Sequence, residues 1–504
     1  MNNFSNFLES FSQDISKKGK QFEQFIKWFL LNDNYWKSIV SKVYFYESSP
    51  IRWSNKDIGT DLIFKDHEGR YWAVQAKNYS SEYSISKKDV DSFLSDTARK
   101  KIYKRLLICT TNKISNNALK TINETEKGVV VFKRNDFEDR GNIYPKNFSS
   151  LIKSNLKNIP KPRKHQLDAI TNVVKNFKNN NKGQLIMACG TGKTYTCFWI
   201  HKKIKAEKTL VLVPSLNLMS QTLREWILAN GSSFKSLCVC SDPSTIKNIQ
   251  DDEIILEKSD LPYSVTWDVN EIKNFINKNN SYVIFSTYQS SPLVSEAQKK
   301  LKNHKFDLSI ADEAHRVAGR IKSTFATILD DKKIKSEKKL FTTATPRIYS
   351  ENIKKAFDAK DIQIRDMDDE RLFGNVFHSF QFSQAIKGKL LADYKVIVIG
   401  VDKNSTKEMI QKKELISIDR NKITDLKSLS IQIGLIKAIK NFNLNRLITF
   451  HGRVKKAKDF SHILPSTYEW IKPKYKRNRK LIIDYVKGEM PTHLRREKIK
   501  ILEK

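Results

Sequence analysis

Apolar positions recur in an ordered way along the 504 residues. Between Gly19 and Leu31, Phe22, Phe25, Ile26 and Phe29 return at helical spacing, so this stretch should form a helix with one apolar face. Short apolar runs follow. Val43–Tyr46, Asp61–Phe64, Tyr71–Ala76, Leu106–Cys109 and Val129–Phe132 have the length of strands, and Lys65–Gly69 reads as a hairpin turn. Two prolines and a basic cluster over Asn158–Arg163 mark a linker. Beyond it, the runs Gln184–Ala188, Thr209–Val213, Ser281–Phe285, Leu308–Ala311 and Leu340–Thr343 alternate with helical stretches. Such alternation means a parallel sheet covered by helices on both faces. After the charged stretch Asp358–Arg371, a new set of strands (Tyr394–Gly400, Arg446–Phe450, Leu481–Tyr485) opens another domain of the same kind. The expected architecture is α/β throughout. Its parts are a domain over 1–155, a linker over 156–163, a parallel-sheet domain over 164–355, a connector over 356–385 and a further domain over 386–504.

Composition narrows the class. At 39% hydrophobic and 11% aromatic the chain is globular. No run approaches the roughly 18–20 apolar residues that cross a bilayer, and the N-terminus has no charged segment followed by an apolar one. Five scattered cysteines make neither a disulfide framework nor a metal pair. A cytoplasmic protein is expected, with no membrane among its partners. The excess of 91 Lys+Arg over 55 Asp+Glu gives a charge of +36, which attracts polyanions such as nucleic acid. Heavy Lys and Asn usage is also what AT-rich codons produce, so charge alone leaves the point open. The motifs decide it.

Met187-Ala-Cys-Gly-Thr-Gly-Lys-Thr194 lies between an expected strand and an expected helix. A glycine turn there exposes backbone N–H groups of Gly190, Thr191 and Gly192 to phosphates at a helix N-terminus. Lys193 can reach the β- and γ-phosphates of ATP, and the Thr194 hydroxyl can bind Mg²⁺. Met187 stands where the general pattern has its first glycine, and Cys189 reads as a small filler. Asp312-Glu313-Ala314-His315 follows another strand: Asp312 is placed to hold Mg²⁺ and Glu313 to activate water. With Gln166 ahead of the P-loop and Thr343-Ala-Thr345 after a further strand, the region from Arg163 onward resembles superfamily 2 helicases of the DEAH-box kind. That resemblance implies two RecA-like domains, adenine reading by Gln166, and coupling of hydrolysis to strand movement by His315, Thr343 and Thr345. It also implies nucleic-acid contacts at Pro214, Ser215, Thr287 and, in the second domain, Arg453.

The N-terminal region carries a second constellation. Alternation puts Gln75 and Lys77 on one face of their strand, where both can meet Asp61 across the hairpin. A carboxylate, an amide oxygen and an ammonium there suit a Mg²⁺ site for phosphodiester hydrolysis. Asp61 would bind the metal, Gln75 complete its shell and Lys77 orient water and stabilise phosphorane charge. This resembles the Mrr-type branch of the PD-(D/E)xK restriction nucleases, and Glu23 matches that family's auxiliary acid. Trp28, Trp36, Trp53 and Trp72 read as packing, and the basic run Lys472–Lys480 as either a phosphate contact or a solvated connector.

Together the two constellations resemble the front portion of Type ISP restriction-modification enzymes. That implies an ATP-dependent translocase on double-stranded DNA, tracked along one strand, with a Mg²⁺ endonuclease that restricts foreign DNA. A DNA methyltransferase and target-recognition module would be encoded downstream. The late Q-x-x-G-R-x-x-R-like arginine motif of such motors is not found after His451, so the last domain reads as truncated. The chain is then expected to bind ATP and turn it over poorly, unless Arg453 serves as the finger. Two other readings stay open: a remodelling helicase whose N-terminal domain only binds DNA or RNA, and an ATP-binding fragment without turnover.

Overall fold

A computed structural model of the chain describes residues 4–54, 59–138, 144–153, 159–231, 234–240, 264–320, 324–358, 364–398, 426–471, 481–488, 490 and 492–503. It divides into two compact units, residues 1–247 with 256–392 and residues 248–255 with 393–504.

The first unit begins with a five-stranded sheet in sequence order: β1 (Val40–Phe45), β2 (Leu62–Asp66), β3 (Tyr71–Lys77), β4 (Ile102–Cys109) and β5 (Val129–Phe132). The first three strands are antiparallel; β4 and β5 join in parallel. Period-two alternation sorts the side chains into two layers. Leu62, Phe64, Trp72, Val74, Leu106, Ile108, Val130 and Phe132 pack with Phe22, Phe25, Ile26 and Phe29 of α1 (Ile15–Asn32). Ile63, Ala73, Leu107, Cys109 and Val131 turn the other way, toward Val90 and Phe93 of α2 (Lys87–Asp96) and Ala118 and Ile122 of α3 (Asn116–Glu124). Helix α1 starts four residues before Gly19 because Asp14 caps it, accepting from the Lys17 N–H at 2.8 Å. Trp36 and Trp72 are fully packed, as their spacing implied.

An eight-stranded parallel sheet follows. Its strands are β6 (Lys182–Met187), β7 (Lys208–Val213), β8 (Ser236–Val239), β9 (Val265–Thr266), β10 (Tyr282–Thr287), β11 (Phe306–Asp312), β12 (Ser336–Thr343) and β13 (Asn375–Phe380), in the order β9-β8-β10-β7-β11-β12-β6-β13. Val211, Val213, Val283, Phe285, Leu308 and Ile310 face one helical layer. Leu210, Leu212, Ile284, Ala311 and Phe341 face the other. The flanking helices include α4 (Lys164–Asn176), α5 (Lys193–Ile204), α6 (Leu216–Asn230) and α7 (Val269–Lys278).

Strand β13 lies inside the segment expected as a connector. It pairs with β6 and forms the sheet's edge, so the first motor fold runs past residue 355. A missing side chain makes room for it: a Cβ on Gly183 would lie 2.2 Å from the Phe377 ring. Gly374, at φ +71°, lets the chain pass close to β6, because a Cβ there would lie 2.2 Å from the Lys182 carbonyl oxygen.

The second unit is described through three helices. Leu426–Asn441 and Val454–Ile471 pack through Leu429, Ile433, Ile436 and Leu464, and the Thr467 hydroxyl donates to Gln432 Oε1 at 2.6 Å; Thr492–Glu503 is the third. The segments expected as strands at 394–398, 446–450 and 481–485 carry no ladder among the described residues, and 399–400 lie outside them. Several of their apolar side chains are exposed, Val398 at 90% and Phe450 at 93%, while Ile483 packs against the helix pair. A parallel strand is stable only between neighbours and under helices on both faces; here no ladder supplies the neighbours.

Within the first unit the two sheets are tied by a polar cluster. The Tyr103 hydroxyl on β4 donates to Glu271 Oε1 in α7 at 2.7 Å, and the Thr266 hydroxyl donates to Oε2 at 2.6 Å. Lys104 Nζ donates to Ser264 Oγ at 2.6 Å and lies 3.7 Å from Glu271. Burial by itself would raise the Glu271 carboxyl, but Lys104, Thr266 and Tyr103 together hold it below its ordinary range. A carboxyl held low in the folded state contributes stability above its ordinary value, and loses it as pH falls through the lowered one. Glu271→Gln should therefore cost about 1–3 kcal/mol at pH 7. In urea titrations the deficit should shrink below the ordinary carboxylate range; a deficit that grew on acidification would contradict the charge assignment.

Candidate active sites

The helicase-like site sits at the C-terminal ends of β6, β11 and β12. Three local choices build it. Gly190 and Gly192 take φ of +79° and +84°, which turns the chain from β6 so that α5 begins at Lys193. The N-terminus of α4 braces this turn: His165 Nε2 lies 2.8 Å from the Thr191 carbonyl, and Gln166 Nε2 donates to the Gly192 carbonyl at 3.0 Å. Gly192 is also required sterically, since a Cβ there would sit 2.5 Å from Gln166 Nε2. Thr191 turns inward and donates to the Ala188 carbonyl at 2.6 Å.

Lys193 projects from this turn into a nest of carboxylates, 2.7 Å from Glu313 Oε1 and 3.6 Å from Asp312 Oδ1. Asp312 is fixed by the Thr342 hydroxyl at 2.8 Å and by the Glu313 N–H at 3.0 Å. Its own carbonyl accepts from the Tyr288 hydroxyl at 2.6 Å. Glu313 adopts φ +50°, a left-handed conformation that costs a non-glycine residue about 1–2 kcal/mol. In that position it meets both Lys193 and His315, whose Nδ1 is 3.3 Å from Glu313 Oε2. Burial pushes the Glu313 carboxyl up, but His315 and Lys193 outweigh it and hold it at about 2. His315 Nδ1 also lies 3.0 Å from the Thr343 hydroxyl, which in turn accepts from the Thr345 N–H at 3.2 Å. The expected P-loop, DEAH and Thr-Ala-Thr residues thus form one connected chain of polar contacts.

Other expected residues are placed differently. Gln166 is buried, and in this structure its amide serves the fold: Oε1 accepts from the Arg163 N–H at 2.8 Å while Nε2 holds Gly192. Pro214 is buried, Ser215 caps α6 by accepting from the Leu218 N–H, and buried Thr287 shares a 2.8 Å hydroxyl contact with Ser290. The Ser215 and Thr287 side chains are thus engaged in capping the helical turns that follow them. Arg453 is exposed, directly before the helix Val454–Ile471. The basic run at 472–480 lies outside the described residues. Three residues went unnoticed in the sequence: Thr342, His165 and Glu225. Each is a neighbour, in sequence or on a facing helix, of a residue already singled out. The Glu225 carboxylate on α6 accepts from Gln221 Nε2 at 2.8 Å and from the Thr194 hydroxyl; burial, ahead of every other influence, raises its pKa.

The nuclease-like site lies where β2 begins and β3 ends. Leu62 pairs with Val74, so Asp61 falls opposite Gln75, and the Asp61 N–H donates to the Val74 carbonyl at 3.0 Å. Asp61 Oδ2 accepts from the Ala76 N–H at 2.6 Å, which fixes the carboxylate against the strand. Gln75 is fully buried on the α2 side, and neither its amide oxygen nor its nitrogen has a hydrogen-bond partner. It lies beside Gly59, where a Cβ would come within 3.0 Å of Gln75 Nε2. Half-buried Lys77 follows two residues on, on the same face of β3. Glu23 belongs to α1, over the opposite face; that helix meets the end of β3 through Asn78 Nδ2, 3.5 Å from the Lys18 carbonyl.

Residues 31–147 match a family described as a restriction endonuclease (the Mrr catalytic type), and residues 159–348 match "Type III restriction enzyme, res subunit". Among curated proteins, a probable helicase of African swine fever virus is 26% identical over 302 residues, 59% of this chain and 30% of its own length. A Type I restriction enzyme endonuclease subunit of Escherichia coli is 25% identical over 248 residues, 48% of this chain and 24% of its own. Among solved structures, the ATP-dependent Type ISP restriction-modification enzyme LlaBIII bound to DNA superposes with a TM-score of 0.78 at 26% identity. That match covers 100% of this chain and 33% of the enzyme, so the chain spans about a third of the length of these relatives. No helix among the described residues is long and apolar enough to cross a membrane. The chain therefore joins an Mrr-type restriction endonuclease domain to a helicase domain of the Type III res family, in the fold of a Type ISP restriction-modification enzyme.

Proposed function

We propose that the chain is the nuclease and ATP-binding portion of an enzyme that hydrolyses ATP to move along double-stranded DNA, and that its N-terminal domain cuts that DNA in restriction of foreign DNA. The observation that carries the motor reading is the contact chain Lys193–Glu313–His315–Thr343. In the free chain Lys193 neutralises Glu313. The β- and γ-phosphates of ATP are stronger competitors for that ammonium, so nucleotide draws Lys193 away and frees Glu313 to accept a proton from the attacking water. Water oxygen bonds to the γ-phosphorus as the bond to ADP breaks. Thr194 and Asp312 are the residues that would hold Mg²⁺, and Thr343 senses the loss of the γ-phosphate through His315.

At the nuclease site, the orphaned Gln75 amide oxygen and the Asp61 carboxylate are hard oxygen donors that fit Mg²⁺. When bound, the ion supplies a Lewis acid and a water of lowered pKa. Asp61 keeps its orientation through Ala76, and Lys77 places a positive charge beside the scissile phosphate. Recognition of a particular DNA sequence, and any methyltransferase partner, belong to other parts of such a system.

Asp61→Ala and Lys77→Ala should each abolish Mg²⁺-dependent cleavage of plasmid DNA while leaving ATP binding intact. Wild-type cutting by Lys77→Ala would refute the nuclease reading and leave a domain that only binds nucleic acid. Conversely, Lys193→Ala loses charge-assisted contacts worth about 1.5–3 kcal/mol, so ATP affinity should fall roughly 10- to 150-fold. Unchanged affinity in an equilibrium nucleotide-binding titration would contradict it. Because Glu313 stays ionised down to about 2, the effect of Glu313→Gln on thermal stability should be equal at pH 7 and pH 5. A difference that shrinks between those values would show an unpaired Glu313.

A further inference from the structure

A second basic hollow lies at the far end of the nuclease sheet. It is a cavity of about 640 Å³ at the starts of β3 and β4, walled by Arg70, Tyr71, Lys100, Lys101, Tyr103 and Lys127, with Ile51 and Gly69 completing it. From Tyr71 to Lys77 is six strand steps, so about 20 Å separates this hollow from the cutting residues. No carboxylate lines it. Arg70 is compensated from outside, 2.8 Å from Asp66 and 3.1 Å from Glu68, and its guanidinium stacks 3.9 Å over the Tyr103 ring. Lys100 and Lys101 are exposed and have no acidic partner among the described residues. Lys127 is half-buried and donates to the Arg99 carbonyl; burial first, then Arg105, lower its ammonium pKa. A site of surplus positive charge results, with two half-buried tyrosine rings in its wall. The other basic cavity, under the motor sheet, differs because Asp331 pairs with both Lys339 and Lys182 within it.

We propose that this hollow is a nucleotide-phosphate site separate from the cutting site, with the phosphate on Lys100, Lys101 and Lys127 and the base against Tyr71. Three lysines on a wall with no carboxylate among its described lining residues favour a phosphate anion, although Glu126 acts on Lys127 from outside that wall, and a ring beside them favours a planar base, the pairing that holds single strands. The nucleotide can be part of a DNA strand or free. Its wall is shared with the tie between the sheets, since Tyr103 donates to Glu271. Occupancy therefore falls at the junction of nuclease and motor.

The test uses the full chain in EDTA without ATP, so neither cleavage nor turnover enters and its failure leaves the proposed enzymatic function untouched. Anisotropy of a labelled twelve-nucleotide single-stranded DNA is compared for wild type, Lys100→Glu/Lys101→Glu and a control pair of exposed motor lysines, Lys299→Glu/Lys302→Glu. The hollow variant should bind at least about tenfold more weakly than the control pair. Its salt slope should be shallower than wild type by about 1.4, for two lost single-strand phosphate contacts. Tyr71→Ala should weaken binding about fivefold or more if a base stacks there. Given that loss, displacement of the DNA by millimolar deoxyadenosine monophosphate identifies a free nucleotide as the ligand, and failure to displace identifies the strand. A hollow variant that loses no more affinity than the control pair overturns the proposal.

Discussion

A buried charge must be paired or it will not stay charged, and this constraint organises the motor site. Lys193 is held between Asp312 and Glu313 at the end of a parallel sheet, with little water to solvate it. Everything near it serves that pairing. Thr342 and the Glu313 N–H orient Asp312, the left-handed backbone at Glu313 aims the second carboxylate, and His315 secures its other oxygen. One ammonium thus stands against two carboxylates, so each group is paired in the folded chain. A site built this way is set before its substrate arrives.

The nuclease site uses the same constraint in reverse. Gln75 is buried with both amide atoms unpartnered, a state that costs roughly 1–3 kcal/mol unless something else completes it. A neutral amide can bear that cost where a second carboxylate, buried beside Asp61, would repel it. Gln75 in place of an acid thus leaves Asp61 without a second negative charge beside it.

Much of this was legible in the residues themselves. Each strand of the nuclease sheet and the five strands read in the motor sheet announced themselves as apolar runs, since a strand buried on both faces has little choice of composition. The P-loop and DEAH residues were legible because their spacing is dictated by phosphate geometry. What escaped was set by contacts distant in sequence. Strand β13 carries His378 and Ser379 among its apolar residues and has Val376 exposed at the edge, so nothing local marked it; Gly183, almost two hundred residues earlier, is its real determinant. In the same way the contact of Gln166 with the Gly192 carbonyl, which braces the phosphate-loop turn, is set by a residue distant in sequence. The apolar segments at 394–398 and 446–450 show the opposite failure: strand-like composition specifies a ladder only when neighbours are present to pair.

The two sheets of the first unit also divide their ends between chemistry and docking. The candidate nuclease residues stand at the finish of β3, and the P-loop and DEAH residues at the finishes of β6, β11 and β12. The tie between the sheets uses the start of β4, through Tyr103 and Lys104, with β9 and the first turn of α7. Parallel strands leave their C-terminal ends opening into loops and helix N-termini, where anions are welcome, so those ends are free for substrates. The joint takes the N-terminal end of β4 on one side and, on the other, Glu271 in the first turn of α7, a helix start that favours a carboxylate. Lys104 and Glu271 pair there, and because each also keeps a hydroxyl partner, neither charge is left unsatisfied at the joint. A joint of satisfied buried charges resists shear better than an apolar contact of equal area, because sliding exposes an unpaired ion before it exposes hydrocarbon.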